Sequence, residues 1–247
     1  MWLPRWAGEP YAMLYEELGL DTFNFKDAAR ALPIDDLNMI KVILSKLHKE
    51  SLLMIFERSR PRLYRLMDPE TFITLASGKI KKVKIPQEKY LKLIYDSCRI
   101  LNRSIDLDSL AVYGSVARGS ASSTSDIDLF VVSNDLKGTL GERIEFLLRL
   151  MKNEIKPEIE FLNRNEVRVF ISLYPLKKEE AEKLPLIMLD MVDDAKIVYD
   201  KDDFLEKQLL RLKLKLMELG AKKVYIGKNR WYWDLHPSYK PLEVISL

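Results

Sequence analysis

Residues 114–132 read GSVARGSASSTSDIDLFVV, a turn-forming run that ends in an apolar segment carrying two aspartates. Ile127, Leu129, Phe130, Val131 and Val132 make that segment a strand with an apolar opposite face. Asp126 and Asp128 then project from one face, their Cα atoms roughly 6 to 7 Å apart at a rise of about 3.3 Å per residue. Two such charges brought to about 4 Å repel by on the order of 4 kcal/mol at an effective dielectric near 20. Either a cation lies between them or one holds a proton. Spacing alone proves little, because Asp106 with Asp108 and Asp200 with Asp202 repeat it in turn-like surroundings. The alternative for Asp126 and Asp128 is a pair of strand-edge acids facing water.

A hard divalent cation suits the gap: Mg²⁺, or Mn²⁺ in its place, takes carboxylate and phosphate oxygens. The residues ahead of the acids supply the phosphate half. The strand LAVYG stops at Gly114, Ser115 opens a short helical turn through Arg118, and Gly119 ends it. Backbone N–H groups at such a turn attract anions, glycine allows close approach, and the Ser115 hydroxyl adds a donor. Ser115 has a second reading as a helix N-cap. Ser125 either joins the nucleotide site or orients Asp126. Arg118 offers a guanidinium to a polyphosphate, or else lies on the surface. Farther on, PEIEFL (157–162) is expected as a third strand with Glu158 and Glu160 on one face. Glu160, followed by Phe161 and Leu162, is the better placed to complete a two-metal site and draw a proton from an attacking hydroxyl.

Outward from this core, PYAMLYEELGL, FKDAARAL and the segment capped by Asp35 have helical periodicity, with Leu37, Ile40, Ile43, Leu44 and Leu47 striping the last. SLLMIFER and RLYRLMD follow as a hairpin. Three helices and a hairpin give residues 1–80 the order of a winged helix-turn-helix. ASGKIKKVKIP (76–86), with its Lys cluster, Gly and Pro, reads as a linker. QEKYLKLIYDSCRILNRSI and GERIEFLLRLMKNEI are expected helices that separate the strands of residues 81–170. Cys98 falls on the apolar face of the first of these helices and reads as core. ISLYPLKKEEAEKLPLIMLDMV and DDFLEKQLLRLKLKLMELG read as helices, so residues 171–247 are expected to be a helical extension with a short tail. In the tail, Trp231, Tyr232 and Trp233 read as packing.

Gly114-Ser115, the gap to Asp126-Ile127-Asp128-Leu129 and a later acid together resemble the DNA polymerase β-like nucleotidyltransferase superfamily, in particular its minimal nucleotidyltransferase type. The resemblance covers roughly residues 87–165. It implies an α+β fold in which a mixed sheet is flanked by helices, here preceded by the winged helix-turn-helix and followed by the helical extension. It also implies Mg²⁺-dependent transfer of a nucleoside monophosphate from an NTP, ATP foremost, with release of pyrophosphate. Gly114 and Ser115 would hold the β- and γ-phosphates, and Asp126 and Asp128 the metal. Glu160 stands where the family more often has Asp. A winged helix ahead of the transferase and a helical tail behind it resemble archaeal proteins of this type. The acceptor (protein, RNA or small molecule) is not legible. The alternative is a DNA-binding regulator or antitoxin-like protein whose transferase fold binds nucleotide or is inactive.

Lys41 and Lys49 beside the third helix, with Arg58, Arg60 and Arg62 in the wing, are candidate contacts to DNA phosphates. Residues 1–80 nevertheless hold eleven Lys+Arg and eleven Asp+Glu, so any basic stripe is local. Protein docking or homodimerisation is the other use of such a segment. Over all 247 residues the net charge is +3, too near neutral to announce a nucleic-acid partner. One Cys with His48 and His236 excludes a disulfide framework and an ordinary Cys/His zinc site. No apolar run approaches the roughly 18 residues of a membrane span, and MWLPRWAGEP lacks a signal pattern, so a cytoplasmic protein is expected.

Overall fold

The structure, a computed structural model, describes residues 5–227, 231–235 and 237; His236 lies outside the described residues. The chain divides into two compact units, Met1–Arg99 and Ile100–Leu247.

The first unit begins with α1 (Arg5–Leu18), α2 (Phe25–Ala31) and α3 (Leu37–Lys49). Helix α2 opens on a capping box in which Asn24 accepts from the Lys26 and Asp27 amides and Asp27 accepts from the Asn24 amide. Helix α3 is capped by Asp36, one residue past the expected Asp35, whose carboxylate accepts the Asn38 N–H at 2.8 Å. Its Ile40, Ile43, Leu44 and Leu47 are buried with Leu14, Phe23 and Ala28, whereas Leu37 is 53% exposed because it opens the helix ahead of the packed turns. Strands β1 (Leu53–Glu57) and β2 (Leu63–Leu66) pair antiparallel. After α4 (Pro69–Ala76), the helix α5 (Leu91–Ser104) carries the chain past the division. Within the first unit, Lys92 reaches two buried acids, Asp96 at 2.5 Å and Asp68 at 3.4 Å.

The second unit contains β3 (Ser109–Tyr113), α6 (Gly114–Arg118), β4 (Ile127–Val132), α7 (Leu140–Arg164), β5 (Ile171–Leu176), α8 (Lys178–Ala181), β6 (Lys196–Asp200), α9 (Phe204–Glu218), β7 (Lys222–Tyr225) and β8 (Trp231–Asp234). Four of the strands form one mixed sheet in the order β5-β4-β3-β6. Strand β3 is antiparallel to β4 and β6, while β4 runs parallel to β5 after the crossover through α7. Phe130 and Tyr174 stack on this sheet within a core that includes Ala111, Met188, Leu205 and Leu212.

Three expectations are corrected. PEIEFL is not a strand but the end of α7, because the buried stripe Leu147, Met151, Ile155, Glu158, Phe161 and Leu162 continues the helical period through Pro157. Glu160 is therefore on the exposed side of a helix, 3.7 Å from Lys156, and not in the sheet. ISLYPL, read as helical, is β5, and β6 also lies beyond residue 170, so that region supplies two sheet strands and not only helices. Two of the three tail aromatics pack as expected: Trp231 and Trp233 meet edge to face, and the Trp233 indole donates to the Leu189 carbonyl at 3.1 Å, whereas Tyr232 is 50% exposed.

Candidate active site

Strand register brings the site together. Asp128, the second residue of β4, faces Tyr113 across the antiparallel ladder and Ser172 across the parallel one. Asp126 precedes β4 and is exposed, so only Asp128 lies within the strand. Directly after Tyr113 the chain turns at Gly114, where φ is +70°. A Cβ on Gly114 would lie 2.2 Å from Asp128 Oδ2, so the turn is pressed against the carboxylate. Only glycine permits both the backbone sign and the approach. Gly119, also at positive φ, closes α6.

Burial pushes the Asp128 carboxyl above its ordinary range, and the neighbouring Asp126 charge pushes it further. The Ser172 hydroxyl, which donates to Asp128, and the Arg118 charge oppose the rise, while Asp190 adds to it. The Tyr113 phenol is likewise raised, first by burial and then by Asp128 and Asp190. Asp190 ends a one-turn 3-10 helix, Leu186–Asp190. It is thus a third carboxylate acting on the Asp128 neighbourhood, and sequence reasoning missed it because its segment reads as one long helix.

The structure brings Gly114, Arg118, Asp126 and Asp128 into one neighbourhood. Ser115 is the second residue of α6 and not its cap, which is Tyr113. Ser125 ties the loop instead of Asp126: its hydroxyl accepts the Ser122 N–H at 2.8 Å. Lys41, Lys49, Arg58, Arg60 and Arg62 are exposed on the first unit. A separate acid cluster, Asp200, Asp203 and Glu206, has carboxylate oxygens within 4.8 Å of one another. Asp200 pairs with Ser109, at the opposite end of β3 from Tyr113, and accepts the Leu205 and Glu206 amides that start α9. That cluster reads as a helix cap.

The donor set at Asp126 and Asp128 is all oxygen, and their repulsion is relieved by positive charge, so these residues fit a hard divalent cation. Residues 91–187 match the nucleotidyltransferase domain family. A relative from Methanocaldococcus jannaschii, provisionally named a protein adenylyltransferase, is 28% identical over 108 residues, 44% of this chain and 69% of that protein. A crystal structure described as a toxin–antitoxin with AMP-PNP has 17% identity, covers 51% of this chain and 90% of that one, and has a TM-score of 0.31, a loose likeness. The family match and this relative agree on a stretch of the nucleotidyltransferase kind, to which residues 91–187 are similar. Gly114, Ser115, Arg118, Asp126 and Asp128 fall inside the matched stretch and Asp190 just beyond it. Among the described residues no helix is long and apolar enough to cross a membrane.

Proposed function

We propose that the chain transfers a nucleoside monophosphate from an NTP, ATP foremost, to a hydroxyl on a protein, RNA or small-molecule acceptor. The observation that carries this reading is the contact between the Gly114 turn and the Asp128 carboxylate, in a domain of this family. The Gly114-Ser115 backbone and hydroxyl hold the β- and γ-phosphates, and Arg118 adds a guanidinium. Asp126 and Asp128 would hold Mg²⁺, or Mn²⁺, and the ion would supply positive charge to the phosphate oxygens. The acceptor oxygen forms a bond to the α-phosphorus as the bond to the departing pyrophosphate breaks, and a carboxylate takes the hydroxyl proton. Asp190 takes the third-acid role first assigned to Glu160, whose exposed helical position suits it poorly.

A second reading is favoured by one observation: β5, the strand beside Asp128, offers Ser172 at the paired position instead of an acid. On that reading the site binds nucleotide without transfer, and the first unit is a regulator. In either case the three helices and hairpin of the first unit form a winged helix-turn-helix, with α3 as recognition helix and Arg58, Arg60 and Arg62 on the wing.

Incubation with each labelled NTP, Mg²⁺ and cell extract or RNA separates the two. The transferase reading expects labelled product and pyrophosphate, lost in Asp126→Asn with Asp128→Asn, reduced about 10²-fold or more in Asp190→Asn and unchanged in Glu160→Gln. Full activity in Asp190→Asn removes that residue from the mechanism. Equal behaviour of wild type and the double variant with every NTP removes the transferase.

A further inference from the structure

The Lys cluster of the expected linker lies ahead of the matched stretch 91–187, and its Lys82 and Lys84 help to line a cavity of about 400 Å³ within the first unit. Leu53, Met54, Met67 and Leu91 are buried apolar members of its lining. Lys49, Lys82 and Lys84 line its rim. Lys82 is held there, because its ammonium donates to the Lys49 carbonyl at 2.9 Å and so ties the linker to the end of α3. The Tyr95 hydroxyl accepts the Val83 N–H at 3.0 Å and fixes the linker a second time.

Glu88 is the one carboxylate among the described lining residues, and it is already engaged. Both of its oxygens lie 2.9 Å from His48 Nε2, and one also accepts the Ile55 N–H at 2.7 Å. Three lysines thus line the cavity against one paired carboxylate. The volume lies in the range of about 300 to 1,000 Å³ usual for small-ligand pockets. Lysines act as compact point charges suited to a phosphate.

We propose that this cavity binds a small organic phosphate of mononucleotide size, its phosphate on Lys49, Lys82 and Lys84 and its ring body against the apolar part of the lining, behind which Met54 and Met67 lie. Duplex DNA would use the same lysines but has no group that fills a recess of about 400 Å³. The proposal does not depend on the transferase reading.

The test uses the whole 247-residue chain carrying ¹³C-methyl methionine, with AMP, adenosine, inorganic phosphate and a short DNA duplex as probes. Met54 and Met67 report the cavity, while Met188, close in sequence to Asp190, reports the transferase site separately. AMP is expected to shift Met54 and Met67 saturably, with adenosine or phosphate alone at least about tenfold weaker. Lys82→Glu with Lys84→Glu is expected to weaken AMP at least about tenfold while leaving the unliganded methyl spectrum and NTP labelling unchanged. The proposal is overturned if millimolar AMP leaves Met54 and Met67 unmoved, if the charge-reversed protein responds equally, or if only DNA moves them. A response confined to Met188 also overturns it, and leaves the transferase reading intact.

Discussion

Gly114 joins two requirements in one residue: a backbone at φ +70° and no side chain between the turn and Asp128 Oδ2. Gly114→Ala meets both at once. The left-handed conformation costs an L-residue about 1 to 2 kcal/mol, and the added methyl displaces the carboxylate. We expect the Ala variant to stay folded in a thermal melt but to lose labelling about 10²-fold or more, as a misplaced catalytic group does. An Ala variant that labels like wild type would show that the turn does not position Asp128. Gly114, Asp126 and Asp128 were legible in the sequence because the turn and the acids that it meets are neighbours along the chain, so local patterns fix them. Asp190 was not, because its approach to Asp128 depends on where β5 and the following turns deliver it. The same holds for Ser172, which donates to Asp128 only because β5 pairs in register with β4.

The elements misread most clearly, PEIEFL and ISLYPL, are short apolar runs in which strand alternation and helix period both fit. Length settled the first, since α7 is a 25-residue helix whose stripe runs through Glu158 and Phe161. The sheet settled the second, since β5 supplies the edge partner of β4. Once placed, α7 and α8 are joined by Arg143, which donates through Nη1 and Nη2 to Glu180 at 2.6 and 3.0 Å. That bidentate contact holds the Glu180 carboxyl below its usual range. A depressed acid contributes stability that is present above its unfolded pKa, near 4.3, and is lost as pH falls through the lower folded value. Glu180→Gln should therefore cost about 1 kcal/mol at neutral pH, a modest figure because the pair is partly open to water. In denaturant titrations the gap to wild type should close as pH falls below about 4. A gap constant from pH 7 to pH 3 would mean that the charge of Glu180 contributes nothing. In the first unit the stakes are higher, since burial pushes the Asp96 carboxyl up and Lys92 holds it back. Lys92→Met takes the lysine from both Asp68 and Asp96 and leaves Asp96 with Arg99, 3.6 Å away, which should cost about 3 kcal/mol by urea denaturation. A loss under 1 kcal/mol would show that protonation or water relieves the pair.

At the scale of the whole molecule, the β3–turn–β4 centre of the mixed sheet was readable because it spans a strand, a turn and a second strand in one stretch. The role of the first unit was less readable. Its order of three helices and a hairpin is local information, but whether the outer side of α3 meets DNA depends on which residues the packing leaves exposed. That side carries Lys41 and Lys49 together with Met39 and Val42, at 50% and 46% exposure, so it is not uniformly basic. Charge is then the deciding quantity. If Arg58, Arg60 and Arg62 each neutralise one phosphate, the logarithm of the DNA affinity should fall against the logarithm of salt with a slope of about −2.7, at about −0.9 per phosphate. Arg60→Ala with Arg62→Ala should reduce that slope by about 1.8, measured by fluorescence anisotropy on a random duplex across a salt series. Both side chains lie on the exposed turn between β1 and β2, so their removal should leave the stability of the hairpin within about 0.5 kcal/mol and any change in slope can be assigned to lost phosphate contacts. A slope that does not respond to the double substitution would take DNA away from the wing, and the exposed apolar residues of α3 would then mark this unit as a protein-docking module.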